Sequence, residues 1–308
     1  ITPDIPVFLF WSLSVYIFWQ IMRGKQPWLW YVLGLTFGLA LLSKYTAILL
    51  LPCLLIYLLL TEDRYWLKTA HPYIALLTGL LCFMPVVYWN SRHEWTSFAF
   101  QLNHGLGGNG YSLGRPAEYF ASQLMLAGPV AWLLGIYAAL VCFFRRNKVQ
   151  LFLILTALPV IMFFGFSSVK KLAGPNWPVF AYFTFTILAS KYFLDSASSI
   201  RRSLWYTALI ASLCISAIIT LHARFSVLPL ARISAELAVA DATNWFYGWR
   251  ELGAGLNKYP DMAFAITPSH QLSAEIIYYT DEKIFVQTDL KAARTSQFNL
   301  WSWPAGYK

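Results

Sequence analysis

Apolar residues run almost unbroken through eight stretches of this chain: 5–22, 28–43, 46–60, 72–89, 126–144, 151–167, 179–193 and 204–221. A helix needs about 20 mostly apolar residues to cross the hydrocarbon core of a bilayer. The pattern therefore predicts about eight transmembrane helices, several near the short end. The second and third are parted only by Lys44-Tyr45, which fits two short helices meeting at a polar turn. Between the fourth and fifth runs a polar loop, 90–125, holds a glycine-rich stretch at 105–110 that reads as mobile. Within it, 116–125 reads as a short interfacial helix with Pro at its first turn and Tyr119, Phe120 and Leu124 along one side. The expected membrane domain is 1–222. In the remainder, 223–308, the pattern turns mixed and polar: helical in the second half of 241–259, strand-like at 262–266, helical at 271–279 and strand-like at 283–287. That alternation predicts a small α/β domain, and no G-x-G-x-x-G or P-loop supports nucleotide binding.

Composition agrees. Of 308 residues, 58% are hydrophobic and only 12% charged, too few charges to cover a soluble domain. The 14 Trp residues suit rings at a membrane interface. The net charge of +9 does not imply nucleic acid, because the basic residues sit mostly in short loops between apolar runs. Arg23 and Lys25, Arg64 and Lys68, Arg145, Arg146 and Lys148, and Arg201 and Arg202 fall in alternate loops, which places those loops in the cytoplasm. Asp4, the Lys44 turn, loop 90–115, loop 170–177 and the tail then face outward. Cys53, Cys82, Cys142 and Cys214 each lie inside an apolar run and read as small buried hydrophobes. The chain opens Ile-Thr-Pro-Asp, with no Met and no signal-type segment, which reads as a fragment lacking its N-terminal part.

The outward side carries the candidate chemistry. Asp4 precedes the first crossing, either as an N-terminal helix acid or as a carboxylate in a cavity at the membrane surface. Lys44, between two apolar runs, is costly unless it snorkels or faces a partner, and a lipid phosphate suits a compact ammonium. Tyr45 beside it either shares that phosphate or anchors at the interface. Lys170 and Lys171 form a second outward basic pair, contrary to the positive-inside bias, as phosphate ligands or as general attractors of anionic lipid. Trp89, Asn90, His93, Trp95, Gln101 and His104, with Asn176 and Trp177 further on, combine rings, amides and imidazoles as sugar recognition requires. Singly, Trp89 and Trp95 read as interfacial belt residues. His93 and His104 have no carboxylate or thiol partner in a metal-binding pattern, so no cofactor is implied and a divalent metal is unsupported.

In this order, several stretches resemble the bacterial GT-C type membrane glycosyltransferases, the group that includes protein O-mannosyltransferase-like enzymes and the lipid A aminoarabinose transferase. They are Thr2-Pro-Asp-Ile-Pro, Gly38-Leu-Ala-Leu-Leu-Ser-Lys44-Tyr45, Pro85-Val-Val-Tyr-Trp-Asn90 with His93-Glu-Trp95-Thr-Ser-Phe98-Ala-Phe-Gln101, Asn176-Trp-Pro178, Gly248-Trp-Arg-Glu-Leu252 and Ser296-Gln-Phe-Asn-Leu-Trp301. The resemblance implies a GT-C fold in the bacterial inner membrane with a periplasmic C-terminal domain. It also implies transfer of a sugar from a polyprenyl-phosphate donor to a lipid, glycan or protein acceptor at the outer face. Asp4 matches an acidic residue at the outer end of a middle helix, and Lys44 the lysine near the donor phosphate. The group's principal acid lies in a first outer loop that this chain does not contain, which leaves Asp4 a supporting role. Two other classes remain open on the residues alone: a transporter or flippase of a lipid-linked sugar, disfavoured by a site near the surface rather than the midplane, and a non-catalytic membrane scaffold.

Overall fold

A computed structural model describes residues 2–107, 110–145, 147–239, 241–259, 261–262, 264–281, 284–288 and 296–301. Arg146, Lys283 and the centre of the 105–110 stretch lie outside the described residues. The chain divides into two compact units, 1–214 and 215–308; the division falls inside the last long helix, ahead of the expected boundary at 222.

In the first unit the apolar runs are helices: α1 (Asp4–Gly24), α2 (Leu29–Ser43), α3 (Leu50–Leu60) after a 3-10 turn at Tyr45–Leu49, and α4 (His71–Arg92). The polar loop forms α5 (Thr96–Leu106) and α6 (Gly114–Ala127). The remaining helices are α7 (Pro129–Arg145), α8 (Lys148–Leu155), α9 (Leu158–Ser167), α10 (Tyr182–Leu194) and α11 (Ser199–Phe225). Among the described residues, four spans are long and apolar enough to cross a membrane: α1, α4, the α8–α9 pair and α11. The count rises to six if Tyr45–Leu60 with Glu62–Lys68, and α6 with α7, each form one bent span. The helices Leu29–Ser43 and Val179–Leu194 are apolar but shorter. Pro159 explains the break between α8 and α9, since it offers no N–H and its ring crowds the carbonyl four residues back.

The bundle is held by rings and by close backbone approach. Phe18 sits among Trp30, Tyr57 and Phe152 at ring-centroid distances of 5.8, 5.8 and 6.0 Å. Gly34 and Gly38 on α2 face Ala75, Gly79 and Cys82 on α4 so closely that a Cβ at Gly34 would meet the Ala75 backbone. This is small-residue packing of the membrane kind. Cys53 and Cys142 are buried as expected, but Cys214 is exposed, on a helix only 11% buried along its apolar window. An apolar run therefore marks lipid-compatible surface as readily as core.

One end of the bundle gathers Asp4, the Lys44-Tyr45 turn, α5, α6 and the 168–178 loop. The other gathers Lys25, the Glu62–Lys68 turn and Lys148, where both lysines reach Asp63, whose side chain is 1% exposed.

Two expectations for the polar loop need correction. Gly105 lies inside α5 rather than in a loose stretch. The face of α6 that carries Tyr119 is not laid on a lipid interface: Tyr119 is fully buried and donates to the Ile161 carbonyl at 3.1 Å. A ring that finds a backbone acceptor can bury its hydroxyl as well.

The second unit continues with α12 (Leu230–Ile233), α13 (Ala235–Val239) and α14 (Trp249–Leu256). Strands β1 (Phe264–Thr267) and β2 (Phe285–Thr288) pair in parallel, with α15 (His270–Tyr279) between them in sequence, and α16 (Gln297–Leu300) follows. Ile276, Ile284 and Val286 form its small core.

Candidate active site

Three segments distant in sequence meet at the first end of the bundle. Asp4 opens α1, but its carboxylate caps no backbone N–H of that helix. Its Oδ1 lies 2.7 Å from Nζ of Lys44, and its Oδ2 accepts from Nδ2 of Asn176 at 2.7 Å. Lys44 is the first residue past α2, in an extended conformation that ends the helix and turns the chain into the 3-10 segment. Both side chains of the pair are just over four-fifths buried (19% and 18% exposed). Partial burial strengthens such a pair over a surface one, and each group offsets the desolvation cost of the other.

The loop that delivers Asn176 is pinned from several directions. Ser168 Oγ accepts from the Ala173 N–H at 3.1 Å, and the Ser112 N–H donates to the Val169 carbonyl at 2.9 Å. Arg115 donates to the Lys170 carbonyl. Gln123, fully buried on α6, donates to the Pro175 carbonyl at 3.0 Å and accepts from the Tyr182 hydroxyl at 2.9 Å. Gln123 and Tyr182 hold the residue next to Asn176, yet nothing in their local sequence distinguishes them.

Trp177 extends the site sideways. Its indole packs on Phe164 at 5.6 Å and on His104 at 5.2 Å. His104 also stacks on Phe100 at 5.2 Å. The Lys171 ammonium lies 3.2 Å from Nδ1 of His104, and since an ammonium only donates, that nitrogen accepts. Gly174 leaves room for the indole, which a Cβ there would strike. Lys170 diverges from Lys171 and lies over the ring of Tyr111 at 5.9 Å.

A second group stands nearby on α4 and α5. The Tyr45 hydroxyl is 2.8 Å from Ser97 Oγ, and its ring contacts Phe83 and Phe98. An open cavity of about 290 Å³ is lined by Tyr45, Pro85, Val86, Trp89 and Ser97. Trp89 stacks on His93 with centroids 4.0 Å apart, and His93 Nδ1 lies 2.8 Å from the Trp89 carbonyl. Asn90 is fully buried. Its Oδ1 accepts from the N–H groups of Ser97 and Phe98 at 3.2 and 3.4 Å, and its Nδ2 donates to the Val86 carbonyl at 2.9 Å. The amide of Asn90 thus holds the start of α5 in place of a cap from Trp95, whose backbone is left-handed. Trp95 and Gln101 are exposed. Among the described residues no three His, Cys, Asp or Glu side chains cluster as metal ligands would.

A bundle of apolar helices with a carboxylate, an ammonium and an amide joined at one end defines an α-helical membrane protein with a charged site at its rim. The family model described as dolichyl-phosphate-mannose-protein mannosyltransferase matches residues 1–89, the stretch that carries Asp4, Lys44, Tyr45 and Trp89. The lipid A galacturonosyltransferase RgtD of Rhizobium johnstonii is 25% identical over 190 residues, which is 61% of this chain and 40% of that protein. The chain therefore spans about two fifths of the length of that curated relative. No solved structure matches it. The two similarities bear out the resemblance to GT-C type membrane glycosyltransferases that the sequence motifs carry.

Proposed function

We propose that this chain carries the donor-phosphate side of a glycosyltransferase that uses a polyprenyl-phosphate sugar, and that its acceptor is a cell-envelope lipid, glycan or protein. The observation that carries the reading is the Asp4–Lys44–Asn176 junction. It is an ammonium held at the rim of an apolar bundle, where a lipid-linked phosphate would enter. The relative's printed name, a lipid A galacturonosyltransferase, favours a lipid acceptor.

The chemistry follows from those groups. An acceptor hydroxyl oxygen attacks the anomeric carbon. The bond from that carbon to the phosphate oxygen breaks, and its electron pair leaves with the polyprenyl phosphate. Lys44 donates to the departing phosphate, where charge accumulates. Asp4 and Asn176 keep its ammonium aimed, so Asp4 is a supporting residue. The proton lost by the acceptor passes to a general base, a role that the resemblance gives to a carboxylate other than Asp4. Lys171, beside His104 and Trp177, is the second cation within the same surface. Trp89, His93 and Trp95 supply ring faces for a sugar, and Asn90 positions α5 beneath them. The eight apolar runs act as eight crossings, the short α2 and α10 among them, with the site on the outer face of a bacterial inner membrane and the C-terminal domain in the periplasm.

The reading is tested in proteoliposomes holding the full-length protein, supplied with radiolabelled polyprenyl-phosphate sugars and lipid A or envelope glycan. Label should move covalently to an acceptor. Label that stays on its carrier while the carrier crosses the bilayer would establish a flippase instead.

A further inference from the structure

The opposite end of the bundle carries a second cationic site that the transfer reaction does not use. The end of α7, the start of α8, the end of α10 and the start of α11 enclose a cavity of about 170 Å³. It is lined by Arg145, Gln150, Lys191, Asp195, Ser196 and Arg201, together with Tyr192. Its charges do not balance, since three cations face one carboxylate. Lys191 pairs with Asp195 at 2.6 Å. Arg145 lies over the ring of Tyr192 at 5.6 Å. Neither Arg145 nor Arg201 has a carboxylate partner among the described residues. Arg202 donates to the Ser196 carbonyl at 2.7 Å and so fixes that wall.

Two features say what fits. Phe143 and Phe144, immediately before Arg145, are 56% and 80% exposed. Large rings so exposed on an apolar helix belong against lipid, which puts the cavity at the membrane edge. Gln150 Oε1 is buried without a hydrogen-bond partner among the described residues, so the wall also offers an acceptor to a hydroxyl. We propose that this cavity binds the phosphate headgroup of an anionic phospholipid, with Arg145 and Arg201 on the phosphate oxygens and a headgroup hydroxyl towards Gln150. Arginine suits this task because its planar fork matches phosphate geometry. Basic pockets between helices on the cytoplasmic side recognise lipid headgroups in this way. The site stands at the end remote from Lys44 and does not rest on the proposed transfer reaction.

The test is native mass spectrometry of the full-length protein in detergent titrated with phosphatidylglycerol, comparing wild type, Arg145→Ala/Arg201→Ala, and Arg201→Ala alone. The single variant guards against misfolding, because the Arg201 side chain makes no ion pair among the described residues. Arg64→Ala/Lys68→Ala removes equal charge outside the cavity. The double variant should weaken binding roughly tenfold or more, and Arg201→Ala a few-fold. The charge-matched control should stay within about twofold of wild type. Equal losses in the cavity variants and the control would overturn the proposal in favour of diffuse attraction. Full displacement of the lipid by millimolar inorganic phosphate would overturn it in favour of a soluble phosphate ligand. Retained lipid that phosphate cannot displace supports it.

Discussion

The Lys44 ammonium lies 2.7 Å from the Asp4 carboxylate across 40 residues of chain, joining the end of α2 to the start of α1. The carboxylate's second oxygen reaches Asn176, so a single residue couples three segments. Removing its charge should therefore act through Lys44. Asp4→Asn is expected to lower transfer about tenfold, the scale of one charge-assisted hydrogen bond. In a Lys44→Ala background the same change should cost little more. Steady-state kinetics on the two single variants and the double variant measure this coupling, and simple additivity would mean that Asp4 works independently.

The Asn176 loop is set by packing as well as by hydrogen bonds. Gly174→Ala would drive a Cβ into the Trp177 indole and push that ring off His104. The expected outcome is a several-fold rise in donor KM with a smaller change in kcat, together with a shift in Trp fluorescence. Gln123→Ala, which frees the Pro175 carbonyl and the Tyr182 hydroxyl, should weaken donor binding in the same direction. A normal KM in both variants would show that the loop does not need this support.

Asn90 holds α5 through two backbone N–H groups. Asn90→Ala should destabilise that helix by about 1 kcal/mol, as loss of a capping side chain does. Hydrogen exchange of 96–106 should accelerate while the rest of the bundle stays protected. Unchanged exchange would return Asn90 to a direct binding role.

The other end carries a pH-dependent element. Glu62–Lys68 is bent by 115° from the Tyr45–Leu60 stretch and lies outside the apolar run 46–60. There, burial alone would raise the Asp63 carboxyl, but the hydrogen bonds and charges of Lys148 and Lys25 outweigh it and hold the group below its ordinary value. A depressed folded-state value stabilises the fold above the ordinary carboxylate range, and that increment disappears as pH falls through the folded value. Thermal melts in detergent should fall from pH 6 towards pH 3 by more in wild type than in Asp63→Asn. At neutral pH the variant should lose about 1–2 kcal/mol, short of a fully buried pair because both lysines are half-exposed. Parallel pH profiles would remove Asp63 from this role.

The sequence pattern reveals the helical segments well because lipid imposes an unbroken apolar run, and Lys44 stands out because a lone lysine between two such runs is costly. In the second compact region it marks a strand, a helix and a strand with edges shifted by a residue or two, whose parallel pairing only the structure supplies. It does not reveal α5, whose mixed residues show no long apolar run. Nor does it fix helix length: α2 and α10 are apolar helices shorter than a standard span. The pairing of Asp4 with Lys44, and the support that Gln123 and Tyr182 give to Asn176, arise only from tertiary packing. Local pattern assigned Asn90 to a ligand, whereas its neighbours four to eight residues away take up its amide. The Gly34–Gly38 seam against α4 is visible in sequence only as one small-residue pair among many.

The most direct test of the central claim is the transfer rate of Lys44→Ala beside wild type in proteoliposomes, with saturating polyprenyl-phosphate sugar and the same acceptor. An ammonium that stabilises the departing phosphate predicts a loss well beyond tenfold in kcat, at the scale of removing one such transition-state donor, about 10²–10³. Near-normal turnover in the variant would contradict it and remove Lys44 from the phosphate site.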